Sequence, residues 1–121
     1  GHPDIATPLK SLAGLHQSQG DYDRARPLCE EALAMRRAAL PPGHPDIATS
    51  LSNLAMLHQS QGDYDRARLL YEEALAIVRA ALPPGHPNIA AALNNLAMLH
   101  KGQGNYDRAQ PLYEEALAIV R

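Results

Sequence analysis

The middle of the chain reads Leu54-Ala55-Met56-Leu57-His58-Gln59-Ser60-Gln61-Gly62-Asp63-Tyr64-Asp65-Arg66-Ala67. An apolar stripe ends at His58, a glycine follows, and an acidic residue opens a second stripe. The glycine can close one helix, and Asp63 can cap the next. Working outward, Leu51, Leu54, Ala55 and His58 lie three or four apart, which is one face of a helix. Downstream, Ala67, Leu70, Tyr71, Ala74, Leu75 and Val78 form another. Upstream, Pro45 suits a first helical position, because its missing amide would be unpaired there anyway. Asp46 then meets the positive end of the helix dipole. Pro83-Pro84-Gly85 stops the second helix. The pattern predicts a helix over Asp46 to Gln61, a short turn, and a longer helix over about Tyr64 to Leu82. The longer one spans about 27 Å at 1.5 Å per residue.

The same pattern recurs with a fixed period. Gly-His-Pro stands at Gly1-His2-Pro3, Gly43-His44-Pro45 and Gly85-His86-Pro87, 42 residues apart. Glu-Glu-Ala-Leu-Ala begins at Glu30, Glu72 and Glu114. The first and second copies differ at eight positions: Pro8/Ser50, Lys10/Ser52, Ser11/Asn53, Gly14/Met56, Pro27/Leu69, Cys29/Tyr71, Met35/Ile77 and Arg36/Val78. Such likeness fits recent duplication or consensus engineering. A period of this size marks a solenoid, whose units bury their apolar faces against one another. The remaining predicted helices are Pro3 to Gln19, Tyr22 to Leu40, Pro87 to Gln103 and Tyr106 to Arg121. Pro8, Pro27 and Pro111 fall inside these stretches and predict local kinks or delayed helix starts. The small residues Ala13, Ala55 and Ala97, with Ala25, Ala67 and Ala109, permit close helix approach.

Composition narrows the function. The chain has 121 residues, enough for one domain, and a formal net charge of −2 without a basic block. Phosphate binding needs a basic face, so no nucleic acid partner is expected. No apolar run approaches the roughly 20 residues of a membrane span, and no signal peptide is visible. A single Cys29 cannot form an internal disulfide, which fits a reducing, cytoplasmic setting. Because both ends keep the repeat's register, the chain reads as a single array (units 1–42, 43–84 and 85–121) excised from a larger protein.

The residues at Leu51, Leu54-Ala55, His58, Gly62-Asp63-Tyr64, Ala67, Tyr71 and Ala74 resemble the signature of the tetratricopeptide repeat. Leu replaces the usual Trp, Ala the usual Gly and His the usual Tyr. The unit is longer than the family's usual one. His44-Pro45-Asp46-Ile47-Ala48, Asn53-Leu54-Ala55 and Tyr71-Glu72-Glu73-Ala74-Leu75-Ala76 resemble the longer repeats of kinesin light chains and their bacterial relatives. The resemblance implies an all-α, right-handed α-solenoid of three helix-turn-helix units, six helices in all. It also implies a non-enzymatic scaffold that binds a protein or extended peptide along its concave face.

By that resemblance the first helix of each unit lines the concave face. The implied positions are Thr7, Lys10, Ser11, Gly14, Gln17 and Ser18, then Thr49, Ser52, Asn53, Met56, Gln59 and Ser60, then Ala91, Asn94, Asn95, Met98, Lys101 and Gly102. Four of the eight first-to-second differences fall in this helix. Side-chain amides there can donate to and accept from a peptide backbone, and Met56 and Met98 offer adaptable apolar contact. The resemblance also offers a test for a carboxylate clamp of the kind that holds chaperone C-termini. Lys10 and Asn53 match it, but Gly14, Ala91 and Asn95 do not, so no clamp is expected.

Other signals point away from chemistry. His16, His58 and His100 recur once per unit, on stacked helices roughly 10 Å apart. Zinc needs its ligands about 2 Å from one point, so these and the loop residues His2, His44 and His86 read as helix-start and packing residues. Cys29 replaces a core Tyr and reads as a buried thiol. The adjacent Glu pairs point about 100° apart and form no carboxylate dyad; arginines nearby on the same helices are their expected companions. Gly43 and Gly85 sit in proline-locked turns and make no phosphate loop. No cofactor, metal or catalytic residue is expected. The alternative role is structural: apolar end faces, Ile5, Leu9 and Leu12 at one end and Leu112, Leu117 and Val120 at the other, could support stacking between chains.

Overall fold

The computed structural model describes residues 6–121, which contain six α-helices and no strand. They are α1 (Ala6–Ser18), α2 (Tyr22–Ala39), α3 (Pro45–Ser60), α4 (Tyr64–Ala81), α5 (Pro87–Gly102) and α6 (Tyr106–Val120). The first Gly-His-Pro triplet, the predicted start of α1 at Pro3 and the end-face residue Ile5 lie outside the described residues.

Local chemistry explains each boundary. Asp21 and Asp63 cap α2 and α4, their carboxylates accepting from the amides of Arg24 and Arg66 at 3.4 Å. Both of the described Gly-His-Pro triplets divide one task among three residues. Gly43 takes φ +85, a region that costs other residues Cβ strain, and so reverses the chain. His44 caps α3, its Nδ1 accepting from the Asp46 amide at 3.0 Å, and Pro45 begins the helix. His86 repeats this with the Asn88 amide at 3.1 Å. The longer helices stop one residue earlier than the periodicity predicts. Leu40 and Leu82 precede prolines, which disfavour helical backbone before them, and both take extended conformations. Between paired helices the turn is constant: the amides of Asp21, Asp63 and Asn105 donate to the carbonyls of His16, His58 and His100, each at 2.8 Å.

The expected delayed starts at Pro27 and Pro111 do not occur. Helix α2 begins at Tyr22 and α6 at Tyr106, and both run continuously past the proline. Both prolines are exposed, so the carbonyl four residues earlier, deprived of its amide partner, faces water rather than core.

Each helix packs on its neighbours in sequence, and α3 also touches α5. Contacts therefore stay local, as in an α-solenoid. The alanines at 25, 55, 67 and 97 are fully buried, and Ala13 and Ala109 nearly so. Leu51, Leu57, Leu93 and Leu99 are the largest fully buried side chains. Burying a leucine is worth about 1.5–3 kcal/mol, so these positions supply much of the force holding the array together.

Two ion pairs span successive units. Arg37 meets Glu73 at 2.8 Å, and Arg79 meets Glu115 at 2.7 Å. The expected pairing of glutamates with arginines of their own helix holds for Arg26–Glu30 and Arg68–Glu72. Glu73 and Glu115 instead reach across to the preceding unit. All are substantially exposed, so each pair is worth at most about 1 kcal/mol.

Candidate peptide-binding groove

Helices α3 and α5 stand side by side with α4 beneath them, and two adjoining hollows run along this channel. The one toward the helix starts, about 250 Å³, is lined by Thr49, Ser52, Asn53 and Met56 from α3 and by Ala91 and Asn95 from α5. Ala74 and Val78 of α4 form its floor. The other, about 390 Å³, is lined by Met56, Gln59 and Ser60, by Asn95, Met98 and Gly102, and by Tyr64 and Tyr71. Met56 and Asn95 belong to both, so the hollows form one groove along α3. Sixteen residues of α3 make a wall about 24 Å long. An extended segment of about seven residues would match that length.

The walls mix amides with exposed methionines. Met56 and Met98 are 43% and 56% exposed, which leaves them open to contact. Asn53, Asn95 and Gln59 are half-buried. At the floor, the Tyr71 hydroxyl donates to Gln59 Oε1 at 3.1 Å. Burial pushes the Tyr71 hydroxyl up to about 12, so it stays a neutral donor. That bond holds the Gln59 carbonyl oxygen and leaves its amide NH₂ available toward the groove.

Of the sequence-predicted positions, the structure gathers Thr49, Ser52, Asn53, Met56, Gln59, Ser60, Ala91, Asn95, Met98 and Gly102 around these two hollows. Asn94 and Lys101 are exposed on α5 but line neither. Thr7, Lys10, Ser11 and Gln17 lie on α1, away from both. Gly14 holds the place of Met56 there, so α1 lacks the methionine that walls the α3 side. Sequence reasoning does not find Tyr64, Tyr71 and Asn88, and it reads Tyr71 only as core. The available signal is the Tyr71 hydroxyl, since a buried tyrosine needs a polar partner.

The remaining titratable groups are consistent with packing. Among the described residues no three of His, Cys, Asp and Glu converge on one point. Cys29 is buried, and that burial, more than the nearby Glu30, pushes its thiol up. His58 and His100 are both buried. His58 has Asp63 Oδ2 at 3.8 Å from its Nδ1. His100 has Asn105 at that place instead, its Nδ1 has no partner, and burial holds its pKa below the ordinary value. No helix among the described residues is long and apolar enough to cross a membrane.

Comparison with known proteins places the chain. The tetratricopeptide repeat family profile matches residues 4–80 and 70–121. Among solved structures, BtubC (BKLC) from P. vanneervenii is 29% identical with a TM-score of 0.85, over 95% of this chain and 46% of that one. A Podosopora anserina protein described as a kinesin light chain with nearly identical TPR-like repeats is 30% identical with a TM-score of 0.87, over 98% of this chain and 56% of that one. The chain thus spans about half the length of these relatives. The N-terminal domain of stress-induced protein-1 from C. elegans, at 18% identity and a TM-score of 0.72, shares the fold alone, over 96% of this chain and 84% of that one. No curated protein matches the sequence significantly.

Proposed function

Because the chain belongs to the tetratricopeptide repeat family, in its kinesin-light-chain-like form, we propose that it is a non-enzymatic scaffold holding an extended protein segment in the groove between α3 and α5. The observation that carries this reading is the continuous channel through Met56 and Asn95, with amides along its walls and exposed methionines at its rim. Asn53, Asn95 and Gln59 would hydrogen-bond the segment's backbone. Met56 and Met98 would contact apolar side chains without fixing their shape, which favours loosely specified sequences. Thr49 and Ser52 would complete the α3 wall. Asn94 and Lys101, and Thr7, Lys10, Ser11 and Gln17 on α1, would act as secondary contacts beyond the channel. We take the three units as one array acting within a larger protein, in a reducing compartment such as the cytoplasm that suits its single buried thiol.

The test is isothermal titration against a library of extended peptides. Losing one amide contact is worth about 0.5–1.5 kcal/mol, so Asn53→Ala and Asn95→Ala should each weaken binding about two- to twelvefold. Asn94→Ala, outside the channel, should change it less than twofold, within about 0.4 kcal/mol. Equal affinity in all three variants and the parent would sink the groove assignment.

A further inference from the structure

We propose that the groove between α3 and α5 selects an uncharged segment, with an aromatic side chain in its larger hollow and a short apolar one, three residues away, in its smaller hollow. This selectivity rests on the groove reading and narrows it. It starts from the eight positions at which the second unit departs from the first. Five of them, Ser52, Asn53, Met56, Tyr71 and Val78, line the two hollows. Ser50, Leu69 and Ile77 do not. The near-identical copies thus differ chiefly where this channel is lined.

The exchanges remove charge. Ser52 stands where the first unit has Lys10, and Val78 where it has Arg36. On the α5 wall, Asn88 stands where the second unit has Asp46. A fifth of the chain is charged, yet among the described residues no Asp, Glu, Lys, Arg or His lines either hollow. A charged side chain entering the channel would lose water and gain no ionic partner, which disfavours it whatever its sign. Amides and hydroxyls remain to pair with an uncharged backbone.

The exchanges also add bulk to the larger hollow. Met56 replaces Gly14, and Tyr71 replaces Cys29. Met56 and Met98 stand one on each wall, with Tyr64 and Tyr71 between the same ends of the helices. Thioether sulfur packs favourably at ring edges, and rings pack edge to face or offset, so these four side chains form a seat for an aromatic ring. The smaller hollow, about 250 Å³ against 390 Å³, has Ala74 and Val78 as its floor and Ala48, Ala91 and Ala92 beside it. It suits a short aliphatic side chain. The two linings are offset by seven residues on both walls, Ser52 to Gln59 along α3 and Ala91 to Met98 along α5. Seven helical residues advance about 10 Å. Three residues in polyproline II conformation advance about 9 Å and return the side chain to the same side, which sets the spacing.

Isothermal titration of the 121-residue chain with capped peptides of about seven residues tests this. The probes are built on Ser and Pro and carry Phe and Val three residues apart, in both orders. In the better-bound order, replacing Val by Glu or by Lys should weaken binding more than about tenfold, by similar factors for the two signs. Replacing Phe by Leu should weaken it about two- to tenfold, and Met98→Leu, which removes a sulfur but keeps the wall apolar, should shrink that difference. Ser52→Lys, which installs the first unit's residue, should recover the Glu peptide about two- to fivefold and weaken the Lys peptide further. Equal binding of all the peptides, still weakened by Asn95→Ala, would leave the groove in place and overturn the selectivity. A preference of the parent chain for one sign of charge would overturn it too. No binding of these probes up to about 1 mM would overturn this inference alone, since the wider peptide library decides the groove reading. Affinity for the probes that is unchanged in both Asn53→Ala and Asn95→Ala would remove the groove and this inference with it.

Discussion

Asn105→Asp should stabilise the array, and by more as the pH falls. Asn105 opens α6 without a side-chain cap, whereas Asp21 and Asp63 at the same place accept from the amides of Arg24 and Arg66. Restoring the carboxylate adds one capping bond and a favourable charge at the helix start, together about 0.5–1 kcal/mol. A carboxylate there could also pair with Arg108, as Asp63 does with Arg66, but Arg66 is 72% exposed in that pair, so nothing is added to the figure. For a domain of this size about 1 kcal/mol shifts Tm by about 4 °C, so the gain near neutral pH is about 2–4 °C. The second contribution comes from His100. Its folded pKa lies below the ordinary 6.5 because burial disfavours the charged ring, with Arg108 adding to the effect. As pH falls through 6.5 the unfolded chain takes up the proton first, so the parent loses stability from there down to the folded pKa. A carboxylate at 105, placed as Asp63 is beside His58, raises the folded pKa and removes that loss. The assay is thermal unfolding at about pH 7.5 and about pH 5.5, both above the range where the new Asp titrates. A Tm unchanged at both would refute the capping contribution, and an equal gain at both would refute the role of His100.

Four further outcomes follow from the same structure. Leu93→Ala, at a fully buried site, should cost about 2–5 kcal/mol in urea denaturation, while Leu12→Ala, 45% exposed, should cost less than about 1. Pro27→Leu, the residue found at Leu69, should stabilise α2 by about 1–3 kcal/mol in the same assay, because it restores a helical amide donor. Tyr71→Phe should remove one late-titrating phenol, near pH 12, from the spectrophotometric titration of the five tyrosines. It should also cost about 0.5 kcal/mol, since the half-exposed Gln59 can turn to water. His100→Gln should flatten the decline in Tm below pH 6.5, and an undiminished decline would place its origin elsewhere.

The turns are legible in the sequence because their chemistry is local. Gly62, Asp63 and the Gly-His-Pro triplets act on backbone within four residues, so their type and order predict caps and reversals directly. The apolar stripes are legible for the same reason: the leucines and alanines expected in the two stripes of the middle unit are buried, except Leu70, which is half-buried. The delayed start expected at Pro27 fails because a general rule about prolines ignores which way the orphaned carbonyl faces. The Arg37–Glu73 and Arg79–Glu115 pairs are hidden because they depend on the offset between stacked helices, which periodicity does not encode. The groove is half legible. Family likeness picks the face of α3 and α5 that lines the channel, but the floor residue Tyr71 and the absence of wall at Gly14 depend on what stands opposite, which one helix cannot reveal.

The constant turn between paired helices has a consequence for how such a chain can change. The amides of Asp21, Asp63 and Asn105 meet the carbonyls of His16, His58 and His100 at the same 2.8 Å. Removing or adding one whole period leaves every such bond with an identical substitute. Recombination between the near-identical copies would therefore be structurally silent, and length would change in steps of 42 residues. An insertion of any other size inside a helix would rotate one apolar stripe out of register with the next.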